Sequence, residues 1–332
     1  KAGTYPTIAA CVKEMDALVT VFKKYNIKVY RPQNIKGLNQ IFSRDIAFAI
    51  EDKLVIPNII EDRKEEADAI VDVLTQIDEE DIIKMPVIAR AEGGDVMPWN
   101  DYIFVGYSEK EDFEHYTVAR TNKAGVDFLA TSFPNKIVKG FELNKSDDDP
   151  RENALHLDCC FQPIGENMAI MYKGGFKHTA DVEFLVNYFG EQNIIEVNKE
   201  EMYNMNSNVF SISEEVIVSE KGFTRLNIEL RKRGFKVEEV PYTEIAKMEG
   251  LLRCSTMPFR EYIVEFEMVS GFKLSYAATS NLAPSVRPHT VSNLRNVVSE
   301  VCVRDICVLS LSDFIVLFEE LRCRRATPCN SL

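Results

Sequence analysis

The stretch from Asn208 to Val240 reads NVFSISEEVIVSEKGFTRLNIELRKRGFKVEEV. Asn208–Ile212 and Val216–Val218 carry the short apolar patterns of two strands, Thr224–Arg233 that of a helix, and Lys236–Val240 that of a further strand. Strand, strand, helix, strand is therefore one unit. The same cadence runs backwards through the chain. Ala154–Pro163, Asn167–Tyr172, the helix Asp181–Phe189 and Ile194–Val197 form one pass. Tyr102–Gly106, the helix around Asn122–Ala130 and Ile137–Glu142 form another. Ile46–Ile50, Leu54–Ile56, the helix Glu61–Leu74 and Ile82–Pro86 precede them. At the start, Cys11, Met15, Leu18, Val19 and Phe22 recur at helical spacing within Ile8–Lys24, and Ile27–Tyr30 follows as a strand. Five such passes predict a closed, radially repeated α/β architecture.

The first pass opens at its helix and the chain begins with Lys1, so the strands that should precede it are read as missing. The repeat also stops near the other end. From Phe259 to Leu332 eight basic residues meet eight acidic ones, so the whole excess of 13 acids lies in residues 1–258. Ser270–Pro288 has a linker composition. Cys302, Cys307, Cys323 and Cys329 make up half of the eight cysteines. The expected division is a catalytic unit at 1–267, with an incomplete first repeat, and an atypical tail at 268–332. In the tail, Ile306–Leu317 is the apolar stretch able to form a helix or strand and to cover edges left bare at the start.

A chain of 332 residues with 45% hydrophobic content can bury a large core. Its net charge of −13 repels a phosphate backbone, which argues against nucleic acid as a partner. No apolar run approaches the ~18 to 20 residues of a membrane helix, and no apolar leader opens the chain. Eight cysteines without zinc-knuckle spacing read for the most part as reduced thiols. A cytoplasmic protein without a membrane partner is expected; self-association into a homo-oligomer stays open.

Four stretches carry chemistry-bearing side chains. Cys254 stands in Leu251-Leu252-Arg253-Cys254-Ser255-Thr256-Met257-Pro258. A free cysteine is mostly a small buried hydrophobe, but an adjoining Arg253 and a proline that breaks the segment are a context able to favour a thiolate. In Leu155-His156-Leu157-Asp158, strand alternation would put His156 and Asp158 on one face. They are a surface pair or, if buried, a base and a cation ligand. Glu92-Gly93-Gly94-Asp95 is an acidic turn or a place where backbone approaches something closely. Arg44-Asp45 opens the strand Ile46–Ile50, and Arg120-Thr121-Asn122 stands just ahead of a helix.

Taken in order, Ser43-Arg44-Asp45, Glu92-Gly93-Gly94-Asp95, Arg120-Thr121-Asn122, His156-Leu157-Asp158 and Arg253–Pro258 resemble the guanidine-modifying enzymes of the pentein superfamily: arginine deiminases, dimethylargininases and amidinotransferases. The resemblance covers residues 1–258 and implies a five-bladed α/β propeller of ββαβ units. It makes Cys254 the nucleophile, His156 the general acid/base and Glu92 the carboxylate that orients the histidine. Asp45 and Asp158 would grip the guanidinium and Arg120 the substrate carboxylate. Glu249 falls where dimethylargininases place an acid near the substrate's amino group. No metal and no cofactor are implied; the partner is a small guanidino substrate.

The chemistry fits these residue types. A guanidinium is planar, delocalised and resistant to attack, and carboxylates match its fork of donors. A thiolate attacks its carbon, and a nearby histidine protonates the departing nitrogen and then activates water against the thiouronium intermediate. Glu92–Asp95 and the His156-x-Asp158 pair look most like arginine deiminases, whereas Met248-Glu249-Gly250-Leu251-Leu252 looks like dimethylargininases. Hydrolysis to citrulline ranks above amidino transfer, because amidinotransferases replace the Glu-Gly-Gly-Asp stretch. A non-catalytic binding module on the same fold is the remaining alternative.

Overall fold

The computed structural model describes residues 5–267, 273–277 and 302–308. Helix α1, Ile8–Lys24, starts on a Thr7 cap whose hydroxyl accepts the Ala10 N–H, and it is followed by β1, Lys28–Tyr30. The stripe Cys11, Met15, Leu18, Val19 and Phe22 is buried as its spacing predicts.

Four units then repeat one plan. The first has β2 (Phe48–Ile50), β3 (Lys53–Ile56), α2 (Val71–Leu74) and β4 (Ile82–Lys84). The second has β5 (Val96–Trp99), β6 (Tyr102–Tyr107), α3 (Lys110–His115), α4 (Lys123–Ser132) and β7 (Ile137–Glu142). The third has β8 (Phe161–Ile164), β9 (Met168–Met171), α5 (Thr179–Phe189) and β10 (Ile194–Glu196), after which comes α6 (Lys199–Tyr203). The fourth has β11 (Phe210–Ser211), β12 (Val216–Glu220), α7 (Thr224–Lys232) and β13 (Lys236–Val240), followed by α8 (Thr243–Ala246). In each, the first strand is antiparallel to the second and the second parallel to the third, reached by a helical crossover.

A fifth sheet combines the two ends of the chain. Strands β14 (Met257–Glu267), β15 (Lys273–Ala277) and β16 (Cys302–Val308) join β1 in the order β1-β16-β14-β15. β16 is antiparallel to β14 and parallel to β1, with Lys28 opposite Ile306. Those three strands repeat the plan of the other four sheets. Part of the tail, including Ile306–Val308 of the apolar stretch, thus lies against a strand of the first repeat. The rest of Ile306–Leu317, and Ser270–Pro288 apart from β15, lie outside the described residues.

Several local expectations need correction. Glu61–Leu74 is a 3-10 helix to Ile70 and α-helical only from Val71. Arg44 and Asp45 lie in a 3-10 turn, Ser43–Asp45, ahead of a strand that starts at Phe48. Ala154–Pro163 is not one strand, because Leu157–Cys159 forms a 3-10 turn before β8. β5 went unread because Gly93 and Gly94 mask its start.

The site is positioned by the repeat. Just ahead of the first strand of each sheet stands a short segment: Ser43–Asp45, Glu92–Asp95, His156–Cys159, Ser207-Asn208 and Arg253–Thr256. α1 supports the last of these, since its stripe packs in one core with Val218, Val240, Leu251, Leu252 and Cys254. A fully buried Leu or Phe in that core is worth about 2 to 3 kcal/mol.

Candidate active site

The five segments hydrogen-bond to one another in a closed circuit. Gly94 N–H donates to Asp45 Oδ1 at 3.1 Å. His156 Nε2 meets Glu92 Oε2 at 2.9 Å, and Leu157 N–H donates to Asp95 Oδ1 at 2.9 Å. Ser207 Oγ donates to the Asp158 carbonyl at 2.9 Å. Asn208 Nδ2 reaches Cys254 Sγ at 3.2 Å, while its Oδ1 accepts the Cys254 N–H at 3.2 Å. Arg44 N–H donates to the Cys254 carbonyl at 3.0 Å and Ser43 Oγ to the Ser255 carbonyl at 3.1 Å, which closes the loop.

Two glycines make the circuit tight. A Cβ on Gly93 would lie 2.1 Å from the Arg44 carbonyl oxygen, and one on Gly94 would lie 2.6 Å from His156 Nδ1. Only glycine lets these backbones pass.

Cys254, His156, Glu92, Asp45 and Asp158 are all buried at this meeting point. Cys254 Sγ is 3.8 Å from Asp158 Oδ2, and His156 Nδ1 is 3.8 Å from Asp45 Oδ1. No hydrogen bond joins the cysteine and the histidine directly. His156 and Asp158 meet the cluster through the 3-10 turn between them rather than through a shared strand face. Arg120 approaches Glu92 Oε1 at 3.6 Å, and its Nε is buried without a partner. Glu249 stands apart: it is exposed, in left-handed backbone at φ 69°, and among the described residues no hydrogen bond or ion pair links it to the cluster.

Sequence reading passed over several participants. Arg63 binds Asp45 Oδ2 at 2.7 Å, Glu66 through a paired fork at 3.0 and 2.8 Å, and the Phe42 carbonyl at 2.9 Å. It lies in the charge run Glu61–Glu66, whose pattern is that of a solvated face. Asn208 looked like the start of a strand. Thr121 donates to Asp95 Oδ2 at 2.7 Å and accepts the Glu92 N–H at 3.1 Å, which ties the segment after Arg120 to the Glu-Gly-Gly-Asp turn. Arg253 is not a cation for the thiol. It is committed to Asp158 Oδ2 at 2.7 Å and to the carbonyls of Gly93, Gly94 and Val96.

Proton affinities follow from this packing. Burial alone would lower the His156 pKa, but Asp45, Asp95 and Glu92 overcome it and push it up to about 9. Burial raises Glu92, yet the hydrogen bond and charge of His156, with Arg120 and Arg63, bring it down to about 2. These two form an ion pair at neutral pH. The Cys254 thiol is pushed well above its ordinary range by burial and by Asp158 and Asp45. Asp95 is raised by burial. Asp45, Glu92 and His156 bring one ligand atom each within 4.8 Å of one another, close enough for a metal ion. Arg63, Gly94 and the His156–Glu92 bond already engage those same groups.

Solved structures share this frame. The N-terminal domain of ArgZ bound to product, an arginine dihydrolase of cyanobacteria, superposes with a TM-score of 0.62 at 19% identity, covering 75% of this chain and 85% of that one. A cysteine-to-serine mutant of DDAH from Pseudomonas aeruginosa, complexed with citrulline, gives 0.61 at 19%, covering 74% and 87%. Among curated proteins, the uncharacterized YkgA of Bacillus subtilis (strain 168) is 29% identical over 242 residues, 73% of this chain and 77% of its own. The bifunctional arginine dihydrolase/ornithine cyclodeaminase ArgZ of Synechocystis sp. is 29% identical over 113 residues, 34% of this chain and 16% of its own. The fold is thus the α/β fold of the pentein superfamily, and the ordered motifs place the chain with its guanidine-modifying branch. Residues 5–261 match the profile of the family described as N,N dimethylarginine dimethylhydrolase, eukaryotic, and the chain belongs to that family.

Proposed function

We propose that the chain is a cysteine-dependent hydrolase that converts the guanidinium of arginine or a methylarginine to citrulline, releasing ammonia or an amine. The observation that carries the reading is a buried cysteine flanked by buried carboxylates, with Asp158 at 3.8 Å, beside a His156–Glu92 ion pair. Five sheets built to one plan, and the closed circuit of contacts between their leading segments, support a five-bladed α/β propeller with the site at its centre. In this reading residues 1–267 carry the chemistry and the tail 268–332 supplies no catalytic group. Free buried Cys11, Cys159, Cys160 and Cys254 suit a reducing, cytoplasmic setting.

Cys254 is the nucleophile, His156 the acid/base and Glu92 its orienting partner. Asp45 and Asp158 hold the substrate guanidinium. Each already holds a guanidinium of the protein, Arg63 and Arg253, and a carboxylate with about four lone-pair sites can accept from a second. Arg120, with its unpartnered Nε, takes the substrate carboxylate, and Glu249 the amino group from the rim.

The resting thiol is neutral because burial, and then the nearby Asp158 and Asp45 carboxylates, disfavour a negative charge on it. A bound guanidinium offsets that penalty, so the thiol releases its proton to solvent as the substrate binds and the thiolate forms in the complex. Sγ then bonds to the guanidinium carbon, and the C–N bond to the leaving nitrogen breaks as that nitrogen takes the His156 proton. Neutral His156 next removes a proton from water; the hydroxide adds to the thiouronium carbon, and the adduct collapses as Sγ departs and takes up the proton of the new hydroxyl, leaving citrulline and the resting thiol.

The test is product identification by mass after incubation with arginine, with dimethylarginine, and with arginine plus glycine. Citrulline from either of the first two, and an adduct on Cys254 in the intact protein during turnover, are expected. Cys254→Ser should abolish both while the fold is kept. Turnover by the serine variant would sink the assignment; a guanidinoacid product in the third incubation would replace hydrolysis with amidino transfer.

A further inference from the structure

A cavity lies outside the Cys254–His156 cluster. It encloses about 620 Å3 where the end of β12, the start of α7 and the helix α8 come together, and none of the proposed catalytic or substrate-binding residues lines it. Tyr203, Phe223, Ala246 and Leu251 supply apolar wall. The volume is that of a small-molecule site.

The charges on its wall are almost all internally satisfied. Arg225 forks onto Glu201 at 2.5 and 2.6 Å and also bonds the Glu196 carbonyl at 3.0 Å. Lys247 pairs with Glu244 at 2.6 Å. Glu220 is the exception. It is 1% exposed, its Oε2 accepts the Gly222 N–H at 2.5 Å, and its Oε1 is buried with no hydrogen-bond partner. A buried carboxylate oxygen left unpartnered is costly unless something completes it.

We infer that this cavity is a binding site for a small organic cation, an alkylammonium or alkylguanidinium, whose charged head completes Glu220 and whose chain lies against Phe223, Tyr203 and Leu251. The carboxylate selects the charge, and the apolar wall selects an alkyl body over a hydrated inorganic ion. The site sits beside the catalytic machinery, because its lining residues Asn206 and Leu251 are two and three residues from Asn208 and Cys254.

Titration calorimetry on the full chain tests this with n-butylammonium, n-butylguanidinium and, as the uncharged control, n-butanol. Binding of at least one cation and none of the alcohol is expected, and the two cation arms tell which head group fits. Glu220→Gln, which keeps shape and removes charge, should weaken cation binding roughly tenfold or more, the scale of one charge-assisted hydrogen bond. Thr243→Trp, at an exposed lining position, should weaken it similarly by filling the space and leaves Glu220 untouched if the first variant folds poorly. Cation binding as tight in both variants as in the parent chain, or absent from the parent chain, overturns the inference. The readout is binding, so it stands or falls independently of whether guanidine hydrolysis is found.

Discussion

Glu92→Gln isolates the electrostatics of the candidate site. In the parent protein Glu92 and His156 are both buried and share a 2.9 Å bond. Raising His156 from 6.5 to about 9 is worth about 3 kcal/mol between its two protonation states. That is a net figure, since burial opposes it and Asp45, Asp95 and Glu92 together overcome it. The glutamine keeps the shape but not the charge, so the pKa of His156 should fall by roughly 1 to 2 units. The signs can be followed through the pair. His156 is raised, so its stabilisation is complete below 6.5 and lost as pH rises through about 9. Glu92 is lowered, so its stabilisation is present above 4.5 and lost as pH falls through about 2. Parent stability should therefore be flat between those ordinary values, and the variant should lose its alkaline shoulder earlier. The assay is NMR titration of the His156 ring, assigned by difference with His156→Gln, together with melting curves from pH 4 to 10. A His156 midpoint that stays near 9 in Glu92→Gln would refute the ion-pair account.

Three other perturbations follow from the same geometry. Gly94→Ala drives a methyl to 2.6 Å from His156 Nδ1, so kcat should fall about a hundredfold as the ring shifts; retained kcat would show that the ring has room to spare. Asn208→Ala removes the donor to Cys254 Sγ and the acceptor of its N–H, so alkylation of Cys254 by iodoacetamide should slow about tenfold, and an unchanged rate would deny Asn208 that role. Deleting 268–332 removes β15 and β16 and bares the facing edges of β1 and β14; the melting temperature should drop and aggregation rise, whereas an unchanged melt would mean that β16 adds nothing to that sheet.

Much of the frame was legible because its periods are local. The apolar stripe of α1 and the strand-helix-strand cadence can be counted along the chain. The motif order also named segments that the fold brings together, with Asp45, Glu92, His156, Asp158 and Cys254 meeting from positions far apart in sequence. What stayed hidden depends on partners that no local pattern names. Arg63 sits in an acidic run, Glu61–Glu66, that reads as surface until the fold turns its guanidinium onto Asp45. Arg253 looked like a neighbour for the thiol by adjacency alone, yet its side chain turns to Asp158 and three carbonyls. Strand alternation failed at His156 because Leu157–Cys159 is a turn, and the two residues reach the site by different routes. The fifth sheet was legible only in part: Ile306–Leu317 reads as an apolar stretch able to cover bare edges at the start, but the register that sets Lys28 opposite Ile306 leaves no mark on either segment.

In the proposed reaction, the charges of the cluster favour a guanidinium over a neutral isostere such as a urea. Before binding, each carboxylate at the site already has a cation of the protein: Asp45 shares Arg63 with Glu66, Asp158 has Arg253, and Glu92 has His156 and Arg120. A thiolate would be a further buried negative charge beside Asp158 and Asp45, and burial together with those carboxylates holds the Cys254 thiol protonated. A cation entering beside Asp45 and Asp158 offsets that charge, so the thiol can give up its proton to solvent. Substrate and thiolate thus form a fourth pair, each making the other's burial tolerable. A neutral isostere of the same shape brings no such charge, so the nucleophile would stay protonated beside it. Selectivity for a cation and activation of the nucleophile are, on this account, one electrostatic event.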